Sequence, residues 1–390
     1  MNQNTINLLF ILLRSAVCGT ELQESEKALY SDGILPQLFA LSNKHDVAHL
    51  VGAALNENGL LKKGEPYSDR FLKKIMTAVY HYEQLNFELK RLCDTLEEAK
   101  IPFIPLKGSV MRKYYREPWM RNSCDIDVLV RYEDLERAIS ALTEKLQYIE
   151  KERATYDVPL FSPADEHIEL HFDLVEEGRA KSASEVLSSV WDNVYLHENC
   201  SYRYEMTDEF FYFYHIAHMA KHFETGGCGI RPFIDLWILD NLENVNVQKR
   251  QALLKKGGLE KFAEASQNLS KAWFCGEAAD EVINQMQNFI LSGGMFGSSQ
   301  NRVALQQTKK GGRVGYLFSR IFIPYDRLRR YYPILKKHRW LMPFMQIRRW
   351  FWLLFRSDVA SIAKNELKAN MNIEKSTANE MNEFLNNVGL

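Results

Sequence analysis

Asp125-Ile126-Asp127-Val128-Leu129-Val130 is the stretch whose reading decides the fold. Its β-branched content and alternation predict a strand. Strand side chains point to opposite faces in turn, so Asp125 and Asp127 share one face while Ile126, Val128 and Val130 can enter a core. Two neighbouring carboxylates repel each other and are costly near a core unless a cation neutralises them. Divalent magnesium, a hard ion that takes oxygen ligands, suits the pair. Acids on a solvated strand face are the plainer reading of the same residues.

Working outward, Tyr132–Leu146 has helical periodicity, and Tyr156–Phe161 reads as a strand weakened by Pro159. His167–Leu174 alternates cleanly: Glu169, His171 and Asp173 take one face, Ile168, Leu170 and Phe172 the other. A third acid for a metal site can come from here, with Glu169 and Asp173 as candidates. Upstream, Ile101–Leu106 carries two prolines and reads as an edge strand. It runs into Leu106-Lys107-Gly108-Ser109 ahead of a predicted short helix, Val110–Tyr115. Glycine permits close backbone approach, and amides and a hydroxyl at a helix start can cradle phosphate. A turn glycine with an N-cap serine is the alternative.

Taken in order, Leu106-Lys107-Gly108-Ser109, Tyr115, Pro118, Arg121 and Asp125-Ile126-Asp127-Val128-Leu129-Val130 resemble the DNA polymerase beta-type nucleotidyltransferase superfamily. More narrowly, they resemble a poorly characterised bacterial group of nucleotidyltransferase-family proteins with an L-K-G…D-I-D-L-L-V signature. The resemblance implies an α+β fold, in which a nucleotidyltransferase core of a small mixed sheet with helices is flanked by helical regions. It implies that Asp125, Asp127 and Glu169 hold magnesium (or manganese) and are catalytic, and that Gly108 and Ser109 bind the β- and γ-phosphates of an NTP, ATP being the expected one. Lys107 and Arg121 would offset triphosphate charge. Tyr115 and Pro118 read as structural, His171 as a hydrogen-bonding neighbour, and Cys124 as buried. The implied reaction moves a nucleoside monophosphate to a hydroxyl of a small molecule, saccharide or protein and releases pyrophosphate. An inactive nucleotide-binding regulator of the same fold, or a toxin-like enzyme modifying tRNA or protein, are the alternatives.

The rest of the 390-residue chain divides by pattern into a helical region over 1–98, the α/β core over 99–204, a helical domain over 205–300 closing the cleft, and a basic, aromatic-rich helical extension over 301–390. Ser292–Gly312 is polar and glycine-rich and reads as a loop or linker. His215, His218 and His222 fall on one face of a predicted helix, with Arg231 and Asp235 beyond a glycine loop. They form either a polar helix seam or a phosphate contact through His218, His222 and Arg231; zinc has no supporting Cys or acid at suitable spacing.

Composition is ordinary and globular: 46% hydrophobic, 25% charged, net charge −1. That balance hides a cationic stretch, since Lys309–Arg356 holds thirteen Lys or Arg against one acid, Asp326. Interleaved with Trp, Tyr and Phe, it suits peripheral contact with an anionic membrane, or packing on the acidic remainder of the chain; single-stranded nucleic acid is the less favoured partner. The apolar run Leu8–Leu13 lacks a basic leader and is too short to span a bilayer. Six scattered Cys fit reduced thiols, hence a cytoplasmic protein, peripheral at most to the inner face of a membrane.

Overall fold

In a computed structural model the chain is a mixed α/β protein, mostly helical, with one small mixed sheet. The structure describes residues 2–154, 156–175, 181–295, 297–354, 370–371 and 375–390. Two compact units are present, Met1–Ala220 with Gly229–Gln287, and Lys221–Cys228 with Asn288–Leu390.

The first unit begins with helices α1 (Gln3–Cys18), α2 (Glu24–Lys27), α3 (Leu35–Lys44), α4 (Ala48–Glu57) and α5 (Pro66–Glu98). In α1, Leu8, Leu9, Leu12 and Leu13 are all buried. Asn2 caps its start by accepting from the Asn4 amide, and Gly19 ends it in the left-handed conformation at φ 68°. The sheet follows, as β1 (Phe103–Pro105), a short helix α6 (Gly108–Met111), β2 (Asp125–Val130), α7 (Leu135–Leu146), β3 (Ile149–Glu150), β4 (Asp157–Phe161) and β5 (His167–His171). The strand order is β1-β2-β5-β4-β3. Only β2 and β5 run parallel, with Asp125 opposite His167 and Asp127 opposite Glu169. Ile126, Val128, Val130, Ile168, Leu170, Val158 and Leu160 pack on Leu85, Leu92 and Leu96 of α5 and on Ala138, Ile139 and Leu142 of α7. Strand parity therefore commits the acids of β2 to the other face.

Beyond the sheet come α8 (Lys181–Leu187), the hairpin β6 (Val194–Leu196) and β7 (Tyr204–Met206), α9 (Asp208–Glu224), α10 (Arg231–Asp240), α11 (Val247–Gly257), α12 (Glu260–Phe274) and α13 (Glu281–Ser292). The second unit holds α14 (Ser299–Lys309), α15 (Gly312–Ile321), α16 (Tyr325–Tyr331), α17 (Met342–Leu354) and a terminal helix, Lys375–Asn387. Ile323, Leu328 and Leu335 form one small core there, and Val303, Ala304 and Tyr316 another. No helix among the described residues is long and apolar enough to cross a membrane.

The strand over 125–130 forms as expected, but three local expectations are corrected. The strand at 167 stops at His171, because Asp173 turns back to accept a hydrogen bond from the Val175 amide at 2.8 Å, an Asx turn that ends the pairing. Residues 299–309 are helix and not loop: Ser298 caps the start by accepting from the Asn301 amide, and Val303, Ala304 and Leu305 are buried. Cys124 is exposed, since it precedes the first paired residue of β2. Residues 355 and 356 of the basic stretch lie outside the described residues.

Candidate active site

Because β2 and β5 are parallel and in register, same-parity residues of both strands share a face. Asp125, Asp127, His167, Glu169 and His171 thus converge. They form two overlapping sets, Asp125/His167/Glu169 and Asp127/Glu169/His171, in each of which the ligand atoms lie within 4.8 Å of one another. Asp173, beyond the end of β5, belongs to neither.

Asp127 is 2% exposed and sits at the centre. Its Oδ1 accepts from Lys107 Nζ at 2.6 Å and lies 2.8 Å from His171 Nε2. Lys107 Nζ is also 3.9 Å from Glu169 Oε2, and His171 Nε2 is 3.4 Å from the same oxygen. Burial alone would raise the Asp127 carboxyl, but the Lys107 ammonium and the His171 hydrogen bond outweigh it and hold it well below the usual carboxylate range. Burial likewise opposes charge on Lys107, whose pKa the adjacent Asp127 nonetheless raises. His171 follows the same logic: burial lowers it, and bonds to Asp127 and Glu169 carry it above its ordinary value. Asp125 behaves oppositely. Burial first, then the neighbouring Asp127 charge, push its carboxyl up to about 6.

Lys107 reaches this position from a backbone at φ 44°, ψ −119°, a left-handed-side conformation that favours glycine and costs a lysine on the order of 1–3 kcal/mol. Next to it, a Cβ on Gly108 would lie 3.0 Å from Ser123 Cβ, so a side chain there would require Ser123 to shift. The Ser109 amide donates to Leu106 O at 3.2 Å, while the Ser109 Oγ is buried with no hydrogen-bond partner among the described residues.

Of the other expected residues, Arg121 adjoins the turn, its Nη1 3.8 Å from where a Cβ on Gly108 would lie, and is held by partners of its own. Arg121, 8% exposed, directs Nε at both oxygens of Asp235 on α10 (2.7 and 3.0 Å) and Nη1 at Asn122 O (2.6 Å). Tyr115 OH donates to the same Asp235 at 2.7 Å. Arg231 Nη1 donates to Asp46 Oδ2 at 3.2 Å and to Asn122 O at 3.0 Å. Together these guanidinium groups fix the turn that leads into β2, where Ser123 Oγ donates to Asp125 O at 3.1 Å. His218 packs its ring near Tyr214, with centroids 6.3 Å apart, and His222 belongs to the second unit.

His167 is a member of the cluster that the sequence reading passed over, although its parity with Glu169 and His171 was available. The Lys107–Asp127 bond joins residues twenty positions apart and carried no sequence signal. Chemically the cluster fits a divalent cation. Three carboxylates and two imidazoles converge, and a cationic ammonium already stands against the most buried oxygen.

A family model described as an uncharacterised nucleotidyltransferase matches residues 35–275. No curated protein and no solved structure matches the chain. The matched span covers more than half of the sequence and contains the whole five-stranded sheet, its carboxylates, and α10 with Asp235; the chain belongs to this uncharacterised nucleotidyltransferase family.

Proposed function

We propose that the chain transfers a nucleoside monophosphate from an NTP, ATP first among them, to a hydroxyl of a small-molecule, saccharide or protein acceptor. The observation that carries this reading is the convergence of Asp125, Asp127 and Glu169 from two parallel strands beside the Lys107-Gly108-Ser109 turn. Asp125, Asp127 and Glu169 would hold the divalent cation, magnesium or manganese, which supplies Lewis-acid stabilisation of the phosphoryl oxygens. The acceptor oxygen attacks the α-phosphorus, the bond from that phosphorus to the bridging oxygen breaks, and pyrophosphate leaves with the electron pair. Glu169, the more accessible of the paired carboxylates, takes the acceptor's proton. Gly108 lets the turn pack closely on Ser123, Ser109 Oγ offers a donor, and Lys107 neutralises charge on the triphosphate once it leaves Asp127.

Screening the four NTPs with magnesium or manganese for pyrophosphate release, and candidate acceptors for the matching mass increment, tests the reading. Nucleotide binding without release under every condition would turn it into a binding protein.

Two further results are expected. Lys107 competes for the carboxylates a metal needs, so Lys107→Met should tighten manganese binding in the absence of nucleotide by about tenfold, measured by calorimetric titration. Unchanged affinity would show that the ammonium yields at no cost. In the metal-free chain, Asp125 is protonated below about 6. Manganese affinity should therefore climb between about pH 5 and pH 7 as the proton leaves. The sign for stability is the reverse. The folded pKa exceeds the unfolded one, so the stability Asp125 gives is present at low pH and is lost as pH rises through about 6. Asp125→Asn should melt above the parent at neutral pH and bind metal less well; a lower melting temperature there would contradict the assignment.

A further inference from the structure

Two helices of the second unit turn their apolar stripes outward. On α15, Val314, Phe318 and Ile321, spaced i, i+4, i+7, are exposed, Phe318 by 60%, while Tyr316 on the opposite side is buried. On α17, Phe344, Ile347 and Phe351, spaced i, i+3, i+7, repeat the arrangement, Phe351 also at 60%, and Gln346 is the buried residue. A helical stripe of this kind ordinarily faces a core. The two helices are tied together. Trp350 Nε1 donates to Ile321 O at 2.8 Å, Arg349 Nη1 to the same oxygen at 3.1 Å, and the Phe322 and Trp350 rings meet edge to face at 5.3 Å. The stripes therefore lie on two joined helices, and exposed apolar side chains grouped in this way mark an interaction surface.

Charge selects the partner. Within Lys309–Arg356, thirteen Lys or Arg face a single acid, and three of the chain's seven Trp fall there too. A second copy of the patch would set this cationic surface against itself. An anionic lipid interface answers both features. Phe, Ile and Trp enter the acyl boundary, and Arg and Lys keep their charged ends among the headgroups, each adding electrostatic attraction near the surface. We propose that the face formed by α15 and α17 docks the chain on an anionic phospholipid surface.

The test uses the full chain, without nucleotide, floated with phosphatidylcholine vesicles that contain or lack about 30% phosphatidylglycerol at low salt. Flotation with the anionic vesicles, weak association with the zwitterionic ones, and release at high salt are expected. Phe318→Ser with Phe351→Ser should lower anionic-vesicle partitioning at least about tenfold without moving the melting temperature, because both rings are exposed. Lys336→Glu with Lys337→Glu, also exposed, should weaken the same association and remove its salt dependence in part. Failure to float with anionic vesicles at low salt overturns the proposal, as does equal flotation of the Phe318/Phe351 variant. Light scattering that shows a dimer dispersed by that variant, with no vesicle binding, would assign the face to a second copy. None of these readings depends on nucleotidyl transfer.

Discussion

Asp127→Ala should abolish nucleotidyl transfer, lowering pyrophosphate release by three or more orders of magnitude, about 4 kcal/mol or more at the transition state. Asp127 is the buried centre of the carboxylate set, and both Lys107 and His171 address its Oδ1. The same geometry means that this variant will not be a neutral control for folding. Removing the carboxylate leaves the Lys107 ammonium and the His171 ring with only the longer contacts to Glu169, 3.9 and 3.4 Å, in a site where burial already opposes their charge. Breaking one side of a buried pair typically costs about 3–5 kcal/mol. Asp127→Asn is the sharper probe. It keeps the volume and one acceptor oxygen, so it should melt closer to the parent and still lose turnover. Pyrophosphate release retained by folded Asp127→Asn would remove Asp127 from the chemistry.

Much of this centre was legible in the chain because strand parity is a local rule. The run Asp125–Val130 announces both its strand and its two-faced character, and Ile126, Val128 and Val130 do lie in the core opposite the acids. The alternation around Glu169 supplied the partner strand in the same way. Parity could not give register, which brought Asp127 opposite Glu169 and made His167 part of the cluster. Nor could it foresee where β5 ends, since one Asx turn at Asp173 overrides three more alternating residues. The least legible contacts are those of charged side chains far apart in sequence. Arg121 reads as a cation near a phosphate site, yet its guanidinium is directed at an aspartate on a helix more than a hundred residues later. Histidines at helical spacing on α9 read as one face, a polar seam or a phosphate contact; His215 bonds Pro232 O at 2.9 Å within the first unit, and His222 falls in the second. Periodicity places a side chain on a face; it does not say which distant element meets that face.

The Arg121–Asp235 pair gives the second large effect, on stability. Asp235 is 1% exposed and receives Arg121 Nε on both oxygens and the Tyr115 hydroxyl on one. Burial pushes its carboxyl up, but Arg121 and His215 more than offset this and hold it below the usual range, so it stays charged beneath neutral pH. Asp235→Ala would strand a buried guanidinium and an unpaired phenol together. A loss of about 3–5 kcal/mol is expected, lowering the melting temperature by roughly 10 °C in a unit of this size. Asp235→Asn, which keeps an acceptor for Tyr115 but removes the charge, should fall between the two. Replacing both members, Arg121→Met with Asp235→Leu, should recover a good part of the loss, because a matched apolar pair carries no stranded charge. Transfer would not recover with it: Arg121 also holds Asn122 O, and that turn sets where β2 starts and hence where Asp125 stands. A melting temperature for Asp235→Ala within about 2 °C of the parent would show that solvent, and not Asp235, satisfies Arg121.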